Sequence, residues 1–312
     1  MKTTTFTLGL AAGLTLAAGA AMAEYPDRTI NMLVPFGAGG GTDVPARFFA
    51  AEMEEIMGQN SVVSNVEGAG GTVGATQLSE ADADGYNLGF LPLGTMTTQP
   101  HLRGTCYNNE SWTPICMVSQ GPFNLVVADD SPIETMDDFI AQANGDGLKF
   151  AGAGPGSMAH LEQLSLNNAT GADSLYIPTG GGGEIATEIN GGRADATAWF
   201  ADFDSRFGWR ALGIMSDQRS EARPDVPTMA ELGYDTQVSV WFGFFTQAGT
   251  PDDVVATLSG ACKQAVATDS FAENMAGANR LIRYMGSDEV GPFFNEAFEL
   301  NGQLLKDAGL LK

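Results

Sequence analysis

The sequence has 312 residues, of which 38 are acidic and 15 are lysine or arginine, so the net charge is −23. Nucleic-acid phosphates and anionic lipids require a basic surface, and this charge therefore argues against nucleic acid and against an anionic membrane as partners. At about 100–200 residues per domain, the length predicts two domains.

The first 23 residues predict a secretory signal peptide. Lys2 gives a basic start, residues 6–20 are apolar or small apart from threonines, and AMA at 21–23 fits a cleavage site. The alternative, a buried N-terminal helix, would not explain why charge, apolar length and cleavage pattern occur together. We expect cleavage after Ala23, export, and a mature net charge of −24.

The first predicted strand ends in glycines and is followed at once by a helix. INMLV predicts the strand, PFGAGGGT the turn, and residues 43–57 a helix with Phe49 and Met53 on its apolar face. Unpaired N–H groups and the helix dipole at such a junction bind anions. Thr42 would cap the helix or donate to a ligand. Asp43 would complement the dipole or orient a water or a ligand hydroxyl.

The same pattern of apolar run, glycine-rich turn and helix recurs along the chain. Helices are predicted near 73–81, 158–168 and 184–190, and alternating strands and helices imply a mostly parallel α/β sheet. No long linker separates the domains. FNLVVA (123–128) and VSVWFGFFTQAG (238–249) are therefore the candidate strands that cross between them.

Three cysteines bear on covalent links and metals. Cys106 and Cys116 are close in sequence and form a candidate disulfide that closes a small loop, whereas Cys262 lies on a predicted helical face that would bury it. The sequence has no CxxC motif and two histidines. We therefore expect no zinc site and no cofactor.

Three glycine-rich loops, at 37–42, 152–157 and 179–183, follow predicted strands. Ligands of open α/β sheets bind at the carboxyl ends of the strands, where such loops converge. GAGGGT and GAGGTV both fail the G-x-G-x-x-G pattern, and no glycine is followed directly by lysine, so a nucleotide site is poorly supported.

Catalytic patterns are sparse. Ser157 and His160 have the spacing of a nucleophile and a base on one helix, but we favour Ser157 as a cap or ligand donor and His160 as a packed or ligand-facing side chain. There is no G-x-S-x-G or HExxH motif. Trp199 and Phe200 end an apparent strand, where they would either pack in the core or form a wall of a cleft.

Several segments together resemble the solute receptors of tripartite tricarboxylate transporters, also called Bug receptors. The likeness begins at YPDRTINMLVPFGAGGGTDVPAR and continues through NVEGAGGTVGA, AGPGSMAHL, YIPTGGGGEIATEINGGRADA, RPDVPTMAELGY and WFGFFTQAGTP. These occur in the family's order and cover nearly all of the chain after the signal segment. Each segment is weakly specific, whereas the ordered set is highly specific.

The resemblance implies a two-domain type II periplasmic binding protein fold. Each domain would be a mostly parallel sheet flanked by helices, with two crossing strands as the hinge. The signal peptide would occupy residues 1–23, the first domain residues 24–122 and 244–312, and the second domain residues 123–243. A carboxylate would bind between the domains.

The resemblance also implies the binding residues. Those of the first domain are Phe36, Ala38, Gly39, Gly40, Thr42, Asp43 and Thr95. Those of the second domain are Ser157, His160, Pro178, Thr179, Gly180, Gly181, Phe200 and Asp202. Family members often carry a tyrosine and a lysine where this chain has Thr179 and Gly180, so the ligand cannot be copied from relatives. The segment 195–210 is also a few residues shorter than usual.

Function follows from the resemblance as an expectation. The chain would be a monomeric periplasmic receptor that captures a small organic anion and delivers it to membrane permease subunits, without chemistry on the ligand. One alternative is a partner that presents ligand to a membrane signalling protein. The other is a secreted enzyme that acts on a small acid.

Overall fold

The computed structural model describes residues 25–121, 123–179, 182–200, 204, 207–216, 218–219, 223–236, 240–278 and 280–311. The predicted signal peptide with its cleavage after Ala23 lies outside these residues, as do Gly180, Gly181 and Asp202. None of the helices within the described ranges combines the length and apolarity that crossing a bilayer requires.

Strands and helices alternate along the chain, as an α/β protein requires. The strands are β1 (Ile30–Val34), β2 (Ser61–Asn65), β3 (Asn87–Pro92), β4 (Trp112–Gly121), β5 (Phe123–Val127), β6 (Leu148–Ala153), β7 (Ser174–Thr179), β8 (Ala196–Phe200), β9 (Arg210–Met215), β10 (Val240–Gln247) and β11 (Leu281–Met285). The helices are α1 (Asp43–Met57), α2 (Thr72–Ser79), α3 (Leu93–Thr97), α4 (Gln99–Leu102), α5 (Met136–Asn144), α6 (Met158–Thr170), α7 (Gly182–Asn190), α8 (Asp252–Ala265), α9 (Asp269–Gly277) and α10 (Ser287–Asp307).

The strands form two sheets, with the orders β11-β4-β10-β3-β1-β2 and β7-β6-β8-β5-β9. The α/β class with two helix-flanked sheets is confirmed, but each sheet is mixed rather than mostly parallel. In the first, β1 pairs in parallel with β2 and β3, while β4, β10 and β11 are joined by antiparallel pairs. In the second, β5 pairs antiparallel with both of its neighbours.

The chain passes between the sheets twice. It leaves the first sheet between β4 and β5 and returns between β9 and β10. The predicted crossing strands begin at these passages, but β5 lies within the second sheet and β10 within the first. The predicted boundary between residues 243 and 244 falls inside β10, which pairs with β3 and β4 along its length.

Helix α1 forms as its sequence predicts. Ala46, Phe49, Ala50 and Met53 are buried at helical spacing, and Gly58 ends the helix in the left-handed conformation with φ 67°. The Phe49 ring packs against Phe90 and Phe244 of the first sheet. This packing fixes the helix, and its N-terminus therefore stays at the carboxyl end of β1.

The disulfide prediction was wrong. Cys116 is bonded to Cys262, and Cys106 is free and exposed. Cys116 faces inward from β4, and Cys262 lies on the buried face of α8, so the two Cα atoms are 6.8 Å apart although 146 residues separate them in sequence. The prediction relied on the short sequence distance between Cys106 and Cys116. The packing of α8 on the first sheet instead places Cys262 next to Cys116.

The C-terminal helix α10 contacts the parts of the chain that belong to both sheets. Leu304 and Leu305 of α10 pack with Leu161 of α6 in a small apolar cluster. Asn301 of the same helix donates from Nδ2 to Thr97 Oγ1 over 2.7 Å. Helix α10 therefore contacts both the α3–α4 region beside the first sheet and α6 beside the second.

Candidate ligand-binding site

A cleft of about 660 Å³ lies between the two sheets. The first sheet contributes the loop after β1 and the start of α3 and α4, and the second contributes the loop after β6 and the start of α6. Residues close to the two chain passages, Phe123, Val240 and Phe242, also line it. The cleft thus lies where the carboxyl ends of β1 and β6 face each other.

The loop between β1 and α1 presents backbone amides to this cleft. Gly40 N–H donates to Gly37 O over 3.2 Å, and Gly39, with φ 75°, donates to Asp43 Oδ2 over 2.7 Å. Within the described part of the chain, the N–H groups of Ala38, Gly41 and Thr42 have no hydrogen-bond partner. They lie at the positive end of the α1 dipole, an arrangement that favours an anion. The Arg280 guanidinium is close to them, since a Cβ built on Gly41 would meet Arg280 Nη2 at 3.3 Å.

Asp43 organises this loop from behind. Its carboxylate is 1% exposed and accepts hydrogen bonds from Gly39 N–H, Arg47 Nε and Asn65 Nδ2 at 2.7–2.8 Å. Burial alone would raise the pKa of Asp43, but these hydrogen bonds, led by that of Arg47, outweigh it and hold the pKa below its ordinary value. Asp43 therefore shapes the loop rather than lining the cleft.

Two threonines, Thr42 and Thr95, line the cleft beside the amides of the loop between β1 and α1. The Thr42 hydroxyl makes no capping bond to α1, although Thr42 is the N-cap residue. The Thr95 hydroxyl donates to Gly70 O over 3.3 Å. Thr42 is therefore better placed than Thr95 to donate to a bound oxygen.

The loop before α6 uses most of its amides internally. Gly154 N–H donates to Thr179 O, Ser157 N–H to Gly154 O, and Gly156 N–H to His160 Nδ1. Pro155 has no N–H group. This side of the cleft therefore differs from the α1 side, although both follow a parallel strand.

His160 is a packed residue. It is 5% exposed, its ring stacks on Tyr176 with centroids 4.0 Å apart, and Nδ1 accepts from Gly156 N–H over 2.9 Å. Burial lowers the pKa of His160 from 6.5 to about 4. Ser157 Oγ instead bonds to Tyr176 OH over 3.1 Å and caps α6. The ring therefore does not act on the serine hydroxyl.

Four aromatic side chains also line the cleft. Phe123, Trp199, Phe200 and Phe242 line it, and neighbouring rings contact each other with centroids 4.8–6.4 Å apart. The guanidinium carbon of Arg280 stands 4.2 Å from the Phe200 ring centre. This apolar surface begins directly beside the α1 amides, since a Cβ built on Gly41 would meet the Phe200 ring at 3.0 Å.

The predicted binding residues divide into three groups. Those that line the cleft are Phe36, Ala38, Gly40, Thr42, Thr95, Ser157, Thr179 and Phe200. Those placed elsewhere are Gly39, Asp43, His160 and Pro178. Gly180, Gly181 and Asp202 lie outside the described residues.

Sequence reasoning did not assign Gly70, Gln99, Arg103 and Met158 to the cleft, which they also line. Gln99 and Arg103 lie on or just after the short helix α4, where no motif marks them. Among the residues that the structure describes, no group of three or more histidine, cysteine, aspartate or glutamate side chains could hold a metal ion.

Comparison with known proteins decides the family. Residues 45–310 match the model of the tripartite tricarboxylate transporter family receptor. The chain belongs to this receptor family. The protein BugT of Bordetella pertussis is 32% identical to it over 94% of this chain and 93% of its own length. The sequence-based recognition is thus confirmed.

Solved structures of other family receptors share the fold. The periplasmic binding protein BugD is 29% identical, with a TM-score of 0.78 over 92% of this chain and 100% of its own. MatC of Rhodopseudomonas palustris, with bound malate, is 28% identical, with a TM-score of 0.77 over 90% of this chain and 100% of its own. Tripartite tricarboxylate receptors of this kind are periplasmic solute-binding proteins.

Proposed function

We propose that this chain is exported after cleavage at Ala23, captures a small organic acid between two domains, and delivers it as a monomer to membrane permease subunits. The first domain comprises residues 25–121 with 240–311, and the second residues 123–236. The observation that carries this proposal is the group of unpaired amides at Ala38, Gly41 and Thr42, which faces the cleft at the N-terminus of α1.

The malate bound to MatC supports a carboxylate as the ligand class. In the chain described here, a carboxylate would accept hydrogen bonds from these amides and from the Thr42 hydroxyl, and the helix dipole would favour its charge. Phe36 and Thr95 would contact it from one side and the start of α6 from the other. The domains would close over it by motion at the two chain passages.

The site also supports binding without chemistry. Ser157 and His160 do not form a nucleophile and base pair, because the ring Nδ1 accepts from Gly156 N–H and the Ser157 hydroxyl contacts Tyr176. We therefore propose that the ligand leaves unchanged. Its recovery intact after prolonged incubation tests this, and any product formed in step with protein concentration would contradict it.

The anion site is tested by removing one hydroxyl. Thr42→Val keeps the shape of the side chain and deletes a single donor. Carboxylate affinity should therefore fall at least about tenfold, since a hydrogen bond to a charged group is worth about 1.5–3 kcal/mol. Thr257→Val on the exposed face of α8 is the matched control and should bind as the wild type does.

Binding is measured by calorimetric titration of residues 24–312 with a panel of carboxylic acids. Equal affinities of the two valine variants would contradict the assigned site. Delivery is tested separately: the loaded receptor should stimulate uptake by vesicles that contain the permease subunits, and the free acid at equal concentration should not.

A further inference from the structure

Arg280 brings a positive charge to the loop between β1 and α1 (residues 35–42), which we call the anion loop. Arg280 lies directly before β11, the strand that pairs with β4. A Cβ built on Gly41 would meet Arg280 Nη2 at 3.3 Å. Gly41 and Thr42 carry two of the amides that have no hydrogen-bond partner in the described part of the chain. The guanidinium therefore lies beside the donors that would hold a carboxylate.

The Phe200 ring holds this guanidinium in place. Arg280 Cζ stands 4.2 Å from the ring centre, and the ring packs in turn on Phe123 and Phe242, with centroids 4.8 and 6.4 Å away. We call the four rings that line the cleft, Phe123, Trp199, Phe200 and Phe242, the aromatic wall. The ring face attracts the cation, while the N–H groups of a guanidinium point outwards in its plane and can donate to an anion. The contact with Phe200 therefore orders Arg280 and is compatible with an ion pair to a ligand.

Gly41 makes these contacts possible. Its φ is not positive, so the backbone of the loop does not require a glycine at this position. A Cβ would, however, meet the Phe200 ring at 3.0 Å and Arg280 Nη2 at 3.3 Å. The missing side chain thus lets the ring and the guanidinium approach the Gly41 amide together.

The charges around the anion loop differ between its two ends. Near the β1 end, the Glu67 carboxylate lies close to Gly37, where a Cβ would meet Glu67 Oε2 at 3.2 Å. Behind the loop, the Asp43 carboxylate is paired with Arg47 over 2.8 Å, so these two charges largely cancel. At the α1 end, Arg280 lies beside the positive end of the helix dipole. An anion is therefore favoured at the α1 end of the loop and disfavoured at the other end.

We propose that Arg280 is a ligand-binding residue, whose guanidinium pairs with the carboxylate that the amides of Gly41 and Thr42 hold. The proposal rests on the receptor function proposed above. It adds the cation by which a chain with a net charge of −23 attracts an anion locally.

The test is calorimetric titration of residues 24–312 with the acid that binds the wild type most tightly in a panel that includes benzoate, malate, adipate and citrate. Arg280→Gln should weaken this acid at least about tenfold, the loss expected for one charge-assisted hydrogen bond. Arg280→Lys keeps the charge but not the planar fork, and should lose less affinity than Arg280→Gln. Arg28→Gln is the matched control and should bind as the wild type does. Arg28 also stands over a ring, 3.5 Å from the centre of Tyr86, but it precedes the amino end of β1.

The dependence of affinity on salt is a readout that a purely structural role of Arg280 would not change. Salt screens the attraction between charges, so the affinity of the wild type should fall more steeply with ionic strength than that of Arg280→Gln. The Arg28→Gln variant should follow the wild type, because it loses the same charge far from the anion loop.

The outcomes separate this inference from the receptor function. Full affinity in Arg280→Gln together with reduced affinity in Thr42→Val would overturn the inference and leave the receptor function standing. Equal losses in Arg280→Gln and Arg280→Lys with an unchanged salt dependence would mean that Arg280 only packs on Phe200, and would also overturn it. If no acid of the panel binds to the folded, ligand-free protein, both the inference and the receptor function fail.

Discussion

Two neighbouring positions on α6, His160 and Glu162, carry buried titratable groups. His160 has a pKa lowered by burial from 6.5 to about 4, so the fold favours its neutral form. Its contribution to stability is fully present above pH 6.5 and is lost as the pH falls from 6.5 towards 4. Protonation would also remove the Nδ1 acceptor that Gly156 N–H uses at the cleft.

We expect the His160 ring to titrate near pH 4 in the native protein. The chain has two histidines, so the ring Cε1–H signals can be followed individually by NMR, and His160→Gln assigns them. Thermal unfolding recorded from pH 7 to pH 4.5 should show a steeper loss of stability for wild type than for His160→Gln. A ring midpoint above pH 6 would contradict the burial seen here.

Glu162 shows the opposite effect. It is fully buried, neither carboxylate oxygen has a hydrogen-bond partner among the described residues, and burial raises its pKa well above the ordinary value. The neutral form is therefore favoured in the native state, and the stability that this gives is lost as the pH rises through the native pKa.

We expect Glu162→Gln to stabilise the protein increasingly as the pH rises from 5 to 9, because glutamine keeps the shape and cannot ionise. The measurement is the difference in melting temperature between variant and wild type at each pH. Glu273→Gln, on the exposed face of α9, is the control and should show no such trend. A difference that is independent of pH would contradict a buried neutral carboxyl.

At the scale of the elements, a glycine at the end of β4 lets this strand lie close to the end of β8. A Cβ built on Gly121 would lie 2.8 Å from the Phe200 ring and 3.0 Å from the Phe242 ring. Gly121 has no positive φ, so its role is to leave space for these rings rather than to permit a turn. The end of β4 can therefore approach the aromatic wall closely.

Gly121→Ala should destabilise the protein by about 1–3 kcal/mol, since the added methyl group forces the rings to shift. Gly260→Ala is the matched control. An alanine Cβ there meets open space within α8, where alanine is favoured over glycine by about 0.5–1 kcal/mol, so this variant should gain stability. The measurement is the free energy of unfolding of each variant, obtained by urea titration and compared with that of the wild type. The change should be negative for Gly121→Ala and positive for Gly260→Ala, and changes of the same sign would contradict this account.

The sequence predicted some elements correctly and others not. Helix α1 was found with the observed ends because Phe49 and Met53 mark its face and Gly58 its end. The antiparallel partners of β5 and β10 were missed, because pairing direction depends on which strands the two chain passages bring together. Arg103 and Gln99 of the cleft were missed for the same reason: tertiary packing, not a local pattern, brings them there.

In the molecule as a whole, the Cys116–Cys262 disulfide joins a central strand to a helix across 146 residues. Cys262→Ala should cost about 2–5 kcal/mol, because the unfolded chain regains the freedom that so long a loop had lost. Thermal unfolding with and without a thiol reductant provides the measurement. Cys106→Ser should melt as wild type does, and reductant should lower the melting temperature of both. An unchanged melting temperature for Cys262→Ala would contradict the assigned pairing.

The sheet order also sets an order of assembly. Strand β10 lies between β3 and β4, so the first sheet lacks a middle strand until residues 240–247 have been synthesised. The five strands of the second sheet lie between Phe123 and Met215 and are complete earlier. While the chain is being synthesised, β3 and β4 therefore each lack the partner strand that will lie between them. In the export proposed above, this delay would help, because strands that still lack a sheet partner can be threaded through a narrow channel.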